Sequence, residues 1–281
     1  MMTAPQQPFL IDSHTHLDHY APAEVPSLLE RARSAGVRLV VAAGVTVDSS
    51  RACVALAEAH DLVYAGVGIH PMDLKAPVDD ATYGALLELA HHPRTVVVSE
   101  IGLDYLPGAP ERGMQHQAFR RQIALAREVG LPIVFHSREA HADTLRLLRE
   151  EHAEDVGAVM HYFQGDEATA REAIASGFLI SLARPLLRLP HLQEVAARLP
   201  LGHIVLETDA APQPWKKHRR NWTEPYHVRL VAEKLAELQG VSLEEVARVT
   251  SANLLRLLRR RVPTPAWVEG VTGEESAGPP P

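Results

Sequence analysis

The sequence predicts an α/β protein with the fold of a (β/α)8 TIM barrel, on three observations. Eight short runs rich in Val, Ile and Leu alternate with segments of helical apolar spacing. The runs are continuously apolar, which is typical of parallel strands covered on both faces. Eight such repeats within roughly 240 residues match the size of this barrel. An open doubly wound sheet is the alternative, but it would place the chemistry at one crevice and not at many strand ends.

Each predicted strand is one of these apolar runs. In chain order they are residues 8–14, 37–44, 62–69, 95–102, 131–137, 156–162, 177–183 and 203–209. The clearest helical segments between them end at a glycine in the position that follows a helix, namely Gly36, Gly130 and Gly177. We therefore expect each strand to be followed by a helix.

Two further helices are predicted after the last strand. The first spans residues 224–240, where Pro225 suits the first turn. The second spans residues 242–260, where Ser242 and Glu245 have the spacing of a capping box. Residues 1–261 are thus predicted to form a single domain. Residues 262–281, with five prolines and three glycines, are predicted to be a disordered tail.

The composition is that of an ordinary globular protein, with 46% hydrophobic and 22% charged residues. A net charge of -7 argues against a broadly basic nucleic-acid coat protein, although it leaves room for a local basic patch. The lone Cys53 excludes an intrachain disulfide and fits a reducing compartment. The chain shows no signal-peptide pattern, and its longest apolar run is too short to span a bilayer. We therefore expect a cytoplasmic protein with no membrane segment.

Potential metal ligands follow five of the eight predicted strands. In a chain with 16 histidines, the pair in LIDSHTHLDH is weak evidence by itself. However, the C-terminal ends of barrel strands converge on one site. The candidates at those ends are His14, His16, Glu100, His136, His161 and Asp209. Taken singly, His136 or His161 could be an ordinary buried or loop histidine and Asp209 a helix N-cap, but together they favour a metal centre.

Four imidazoles and two carboxylates are too many ligands for one four-coordinate ion. They suit two divalent ions roughly 3.5–4 Å apart that share a carboxylate. Glu100 is the best candidate for that bridge, and no lysine follows a predicted strand to replace it. We expect a metal-activated water to be the nucleophile. Asp209 is expected to bind a metal ion and to accept the proton that this water loses. Glu207 and Asp18 are expected to support the ligands without binding the ions.

The substrate contacts are predicted from basic residues near the same edge. The loop after the last strand holds Lys216, Lys217, Arg219 and Arg220, flanked by Trp215 and Trp222. Such a run can be a solvated face, but loops after the last barrel strands often bind phosphate, and aromatic faces can stack on bases. We predict substrate contacts at Arg219 and Arg220, and also at Arg138 and His70.

The motifs DSHTHLD, VGIHP, SEIGLDY, LPIVFHSREA, VMHYFQG and ETDA occur in this order over residues 9–258. Together they resemble the TatD family of metal-dependent deoxyribonucleases. The resemblance implies that the six candidates named above are ligands of a dinuclear centre. It also implies a Mg²⁺-dependent nuclease that acts as a 3′→5′ exonuclease on single-stranded DNA. The imidazoles would equally suit Mn²⁺ or Zn²⁺.

The chain departs from the family pattern around the pocket, with Ser99 before Glu100, Tyr162 and Gln164 after His161, and LARPLLR after the seventh strand. The ligand set is unaffected, but the pocket lining is changed. Two other functions therefore stay open. One is an amidohydrolase-type hydrolase of a small-molecule C–N, ester or lactone bond. The other is a scaffold that keeps its metals for structure alone.

Overall fold

The computed structural model describes residues 9–271, and within them eight parallel strands form one sheet whose strand order follows the sequence. The strands are β1 (Leu10–Thr15), β2 (Val37–Ala43), β3 (Val63–Val67), β4 (Thr95–Asp104), β5 (Ile133–Arg138), β6 (Ala158–Met160), β7 (Leu179–Leu182) and β8 (Ile204–Leu206). The sheet closes where a parallel bridge joins Thr15 to Ala210. There the Asp209 N–H donates to the His14 carbonyl at 3.0 Å. The predicted (β/α)8 barrel is confirmed.

Nine α-helices lie in the described residues and cover the sheet. They are α1 (Val25–Ser34), α2 (Val47–Ala59), α3 (Asp80–Ala90), α4 (Arg112–Val129), α5 (His141–Glu150), α6 (Glu167–Ala175), α7 (Pro190–Arg198), α8 (Val228–Gln239) and α9 (Leu243–Leu258). Several begin at a side-chain cap, as at Thr46, which accepts from the Ser49 N–H at 3.1 Å. The predicted Ser242 cap accepts from the Glu245 N–H at 3.0 Å.

The last helix, α9, seals the end of the barrel away from the strand C-termini. The amide of Asn253 donates to the carbonyls of Leu201 and Ile204 at 2.9 Å, at the start of β8. The Ser251 hydroxyl donates to the Phe9 carbonyl, at the start of β1. The strands themselves are buried almost throughout, as the continuous apolar runs predicted. The start of the first and last strands is therefore covered by α9.

Most strands are shorter than predicted, and at two of them, β6 and β8, the difference affects the site. The predicted eighth strand reached Asp209, but β8 ends at Leu206, and Asp209 adopts a left-handed backbone with φ of 54°. Likewise β6 ends at Met160, and Tyr162 has φ of 49°. Non-glycine residues in this region are strained and tend to cluster at functional sites. Loop geometry, and not strand alternation, therefore sets the direction of Glu207 and Asp209.

Residues 262–271, the first half of the predicted tail, pack against the barrel. Val262, Val268 and Val271 are buried, and residues Ala266–Val268 form a 3-10 turn. The Arg256 guanidinium donates to the Val268 carbonyl at 3.0 Å, and the Trp267 ring meets Phe9 edge to face. The prolines there do not prevent packing, because the apolar side chains between them are buried against the barrel. Residues 272–281 and the start of the first predicted strand, Pro8, lie outside the described residues.

No helix among residues 9–271 is both long enough and apolar enough to cross a membrane.

Candidate metal centre

All six predicted ligands meet at the C-terminal end of the barrel. His14 and His16 lie on and just after β1, Glu100 lies on β4, and His136 lies on β5. His161 and Asp209 follow β6 and β8. Glu100 is not at the end of its strand, which continues to Asp104. It lies where the register between β4 and β5 shifts, between Val98 and Ile101. The irregularity lets a residue from the middle of a strand face the same site.

Glu100 is at the centre of this site. In the described part of the chain, its carboxylate lies within 3.7 Å of an imidazole nitrogen of five histidines. The distances are 3.0 Å to His136, 3.4 Å to His14 and His161, 3.5 Å to His70 and 3.7 Å to His16. Burial opposes ionisation, but the surrounding imidazoles outweigh it and hold the pKa of Glu100 well below its ordinary value. One buried carboxylate therefore faces five imidazoles from four strands or strand ends.

The potential ligand atoms form overlapping groups, in each of which they lie within 4.8 Å of one another. Three groups face Glu100 or Asp209: His14, Glu100 and His161; His14, His16 and Asp209; and His70, Glu100 and His136. His70, which the sequence suggested as a substrate contact, thus lies among the potential ligands. Its ring is 4.5 Å from that of His136, centroid to centroid. Glu100 and His14 each belong to two of these three groups.

The residues fit divalent metal ions. His14 is fully buried, and among the described residues neither of its ring nitrogens has a hydrogen-bond partner. The Glu100 carboxylate lies 3.4 Å from its Nε2. Burial, and then the neighbouring His161, lower the pKa of His14 and keep it neutral. A buried polar atom without a partner is costly, and a neutral imidazole is the form that binds a metal. Mixed nitrogen and carboxylate donors suit Zn²⁺, Mn²⁺ or Mg²⁺.

Carboxylates behind the histidines hold the rings in place. Fully buried Glu207 lies 2.9 Å from Nδ1 of His161. It also accepts hydrogen bonds from the Ser181 hydroxyl at 2.6 Å and from the Tyr162 N–H at 2.9 Å. Such partners fix the orientation of a ligand and raise its basicity. Glu207, predicted from sequence to support the ligands, therefore lies where it can orient His161.

Asp104 orients the ring of His136 as Glu207 orients that of His161, and it was not predicted from the sequence. Its Oδ2 lies 2.9 Å from His136 Nε2, while Nδ1 of the same ring is 3.0 Å from Glu100. The signal was present in SEIGLDY, because Asp104 is four residues after Glu100 and alternation puts both on one face of a strand.

Asp18 is anchored beside the site. Its Oδ2 accepts from the Ser49 hydroxyl at 2.6 Å and lies 3.6 Å from Nε2 of His19. It also forms a further group of potential ligands with His16 and His19. This position agrees with a supporting role for Asp18 next to His16.

Two of the candidate ligands, His16 and His161, have raised pKa values. Burial disfavours the charged form of His16, but Asp209, at 3.2 Å, and Glu100 outweigh it and raise the pKa of His16 to about 9. Burial is likewise outweighed by Glu207 and Glu100 at His161, whose pKa rises to about 10. The paired His16 also holds the pKa of Asp209 below its ordinary value, against the effect of burial. An ion that binds here must displace these protons.

A cavity of about 670 Å³ opens above these residues. Predicted ligands line its floor, and Tyr162, Gln164, Arg138 and Arg188 contribute to its wall. Arg138, a predicted substrate contact, therefore lines this cavity. Arg188 was missed, although the LARPLLR run after the seventh strand holds two arginines near that edge. A cavity of this size accommodates a small molecule or the end of a chain.

Arg219 and Arg220 are not among the described residues that line this cavity. The Arg219 guanidinium instead donates to Glu224 at 2.9 Å and to Glu24 at 3.2 Å, and lies 4.3 Å from the centroid of the Trp222 ring. Arg220 is exposed. The run of basic residues is therefore divided in the fold, and Arg219 holds its own loop together.

A second cavity, of about 410 Å³, lies at the opposite end of the barrel, where Gly157, Gly177 and Gly202 precede their strands. Catalytic sites of such barrels lie at the C-terminal ends of the strands, and the histidine cluster is at that end. We therefore assign the chemistry to the larger cavity.

Proteins of similar sequence carry the names of metal-dependent hydrolases and deoxyribonucleases. The family model described as TatD related DNase matches residues 11–259. A Bacillus subtilis protein named uncharacterized metal-dependent hydrolase YabD is 35% identical over 257 residues, covering 89% of this chain and 99% of that protein. The human protein named deoxyribonuclease TATDN3 is 32% identical over 263 residues, covering 88% and 94% of the two chains.

A solved structure has the same fold over the whole domain. The TatD homologue YJJV from Escherichia coli K12 superposes with a TM-score of 0.82 at 28% identity, covering 90% of this chain and 98% of that one. The barrel, the histidine cluster around Glu100 and the match across residues 11–259 agree with one another, and the chain belongs to the TatD family of metal-dependent hydrolases.

Proposed function

We propose that this hydrolase is a deoxyribonuclease that shortens single-stranded DNA from its 3′ end. The observation that carries the proposal is the position of Glu100, a buried carboxylate shared by five imidazoles at the floor of a cavity with arginines in its wall. The name of the human relative supports DNA as the substrate.

Divalent ions, two by our proposal, would be held by His14, His16, Glu100, His136, His161 and Asp209. When bound, such ions polarise a water molecule and neutralise charge on phosphoryl oxygens. We propose Mg²⁺ as the working ion, and Mn²⁺ or Zn²⁺ as ions that the same ligands accept.

The protein's own residues position the reaction. Glu207 and Asp104 hold the rings of His161 and His136. The Asp209 side chain is 29% exposed to the cavity, so it can accept the proton that the attacking water loses. Its left-handed backbone directs the carboxylate towards His16, 3.2 Å away. Asp209 is therefore the proposed proton acceptor.

The arginines in the cavity wall favour an anionic substrate. Arg138 and Arg188 both line the cavity, and a guanidinium matches the geometry of phosphate oxygens. A neutral amide or lactone would give these cations no partner. The wall therefore favours a phosphodiester over the small neutral substrates of an amidohydrolase.

The test is an assay on 5′-labelled single-stranded DNA with Mg²⁺, Mn²⁺ and Zn²⁺ compared. We expect a ladder that shortens from the 3′ end. It should be lost in Glu100→Gln and kept in the matched control Glu237→Gln, whose side chain is 70% exposed on α8. Circular dichroism would show that both variants fold. Full activity of Glu100→Gln would contradict the role of the centre. If the protein hydrolyses a lactone or ester and does not cleave DNA, its site is that of a small-molecule hydrolase.

A further inference from the structure

Trp215 is an exposed aromatic residue in the loop that follows β8. Its side chain is 75% exposed, more than any other large hydrophobic residue among residues 9–271. The other two tryptophans of the chain, Trp222 and Trp267, pack against the hydrophobic core. A large apolar ring left in water is unfavourable unless something binds it. Trp215 is therefore a candidate contact surface.

The loop that carries Trp215 starts at the site itself. It leaves the barrel at Asp209, six residues earlier in the chain. Trp215 is inside a turn closed by the Lys216 N–H, which donates to the Gln213 carbonyl at 2.9 Å. The Gln213 amide oxygen accepts from the Thr223 N–H at 2.8 Å. The base of the loop is thus held by hydrogen bonds while the indole projects from it.

Positive charge connects this loop to the cavity. The Arg184 guanidinium donates to the Thr223 hydroxyl at 2.9 Å, so the turn after β7 is bonded to the loop of Trp215. Arg188, at the end of the same turn, lines the cavity. Burial, and then the charges of Arg184 and Arg188, lower the pKa of Lys216. In a chain of net charge -7, the three cationic side chains of Arg184, Arg188 and Lys216 are thus shared between the cavity wall and the loop of Trp215.

We propose that Trp215 is a stacking platform for an unpaired nucleobase of the same strand whose phosphate lies in the cavity. The inference rests on the proposed function and specifies its substrate. Cationic groups follow a phosphate backbone while an aromatic face stacks on a base. In a duplex both faces of a base are already stacked, so this surface selects single strands or frayed ends.

Trp222 does not provide a second platform. The Arg219 guanidinium lies over its ring at 4.3 Å, and Tyr20 packs at 6.4 Å between centroids. Its Nε1 is buried without a hydrogen-bond partner in the described part of the chain. Of the two tryptophans that flank the basic run, only Trp215 presents a free face among residues 9–271.

The experiment compares Trp215→Ala, Trp215→Phe and the matched control Leu230→Ala. Leu230 is another exposed apolar side chain, 41% exposed on α8. For each variant we would measure kcat/KM on a single-stranded oligonucleotide and on bis-p-nitrophenyl phosphate, and take their ratio. Stacking on a base corresponds to about a 5- to 100-fold effect. In Trp215→Ala we expect kcat/KM for the oligonucleotide to fall by that factor relative to kcat/KM for bis-p-nitrophenyl phosphate, mainly because KM for the oligonucleotide rises. The ratio should be unchanged in Trp215→Phe and Leu230→Ala.

Abasic oligonucleotides identify the base. A single abasic site is placed at each position of the oligonucleotide in turn. At the position whose base stacks on Trp215, the abasic site should lower kcat/KM of the wild type as much as Trp215→Ala does. On that oligonucleotide, Trp215→Ala should cause no further loss. If the effects of the abasic site and of Trp215→Ala multiply at every position, the ring does not stack on a base and the proposal is overturned. A change of oligomeric state in Trp215→Ala would also overturn it, because the face would then bind a second copy. If neither phosphodiester is hydrolysed, it is the proposed function that fails.

Discussion

The ring of His161 is held between two carboxylates: its Nδ1 lies 2.9 Å from Glu207, and its Nε2 lies 3.4 Å from Glu100. Glu207 is fully buried, and its oxygens also accept from Ser181 and from the backbone at Tyr162. One carboxylate can therefore bind an ion while the other orients the imidazole that binds beside it.

Glu207→Gln should weaken metal binding about 10- to 100-fold, because it removes the charge that orients His161 but keeps the shape of the side chain. Competition with a chromophoric chelator would measure the affinity. Asp104→Asn should have an effect of the same kind through His136. Wild-type metal affinity in both variants would show that these carboxylates do not support the ligands. Glu233→Gln, exposed on α8, serves as the control.

Metal binding should release protons. Without an ion, His16 and His161 have pKa values of about 9 and about 10 and are protonated at pH 7, whereas a bound ion needs them neutral. Raising the pH towards 9 therefore favours binding, by up to about tenfold per pH unit for each proton displaced. Calorimetry in two buffers of different ionisation enthalpy would count these protons, and about two are expected at pH 7. An affinity that stays flat from pH 6.5 to 8.5 would contradict the assignment.

Removing the metal should lower thermal stability. An ion that binds only the folded state at 100 times its Kd stabilises it by about 2.7 kcal/mol. For a domain of this size that corresponds to a shift in Tm of roughly 5–10 °C. Differential scanning calorimetry with and without chelator would measure the loss, and added Mg²⁺, Mn²⁺ or Zn²⁺ should restore it. Glu100→Gln should show a much smaller shift. An equal shift in that variant would place the stabilising ion elsewhere.

Arg188 should contribute more to DNA binding than Arg220. Arg188→Ala should raise KM for DNA about tenfold and reduce the salt dependence of binding by about one phosphate contact, because Arg188 lines the cavity. Arg220→Ala should do less, since Arg220 is outside that lining. Binding titrations between 50 and 200 mM salt would show the difference. If only Arg220→Ala affects binding, the basic run after β8, and not the cavity wall, contacts the phosphates.

Arg219 should matter for stability before it matters for binding. It donates to Glu24 and Glu224 and covers the Trp222 ring. Arg219→Ala should therefore lower the free energy of unfolding by about 1–2 kcal/mol. Urea denaturation of Arg219→Ala and Arg220→Ala would compare the two. A loss in Arg220→Ala as large as that in Arg219→Ala would contradict this structural role.

The order of the strands and the identity of the candidate ligands could be predicted from the sequence alone. Continuous apolar runs predict parallel strands covered on both faces, and eight of them in one chain close into a barrel. Closure brings the C-terminal strand ends together, so the residues that follow them, from His14 to Asp209, must converge. An ionisable side chain after a buried strand is also costly unless it is paired, which made these positions stand out.

Only the tertiary structure decided which groups these residues face. Asp104 supports His136, His70 lies among the potential ligands, and Glu207 and Asp209 face the site from loops beyond the end of β8. The basic run is divided because Arg219 has carboxylate partners 195 and 5 residues away in sequence, on Glu24 and Glu224. The physical reason is the same in each case. Periodicity determines which face of its own element a side chain occupies, whereas its partner belongs to another element that folding brings within a few ångströms.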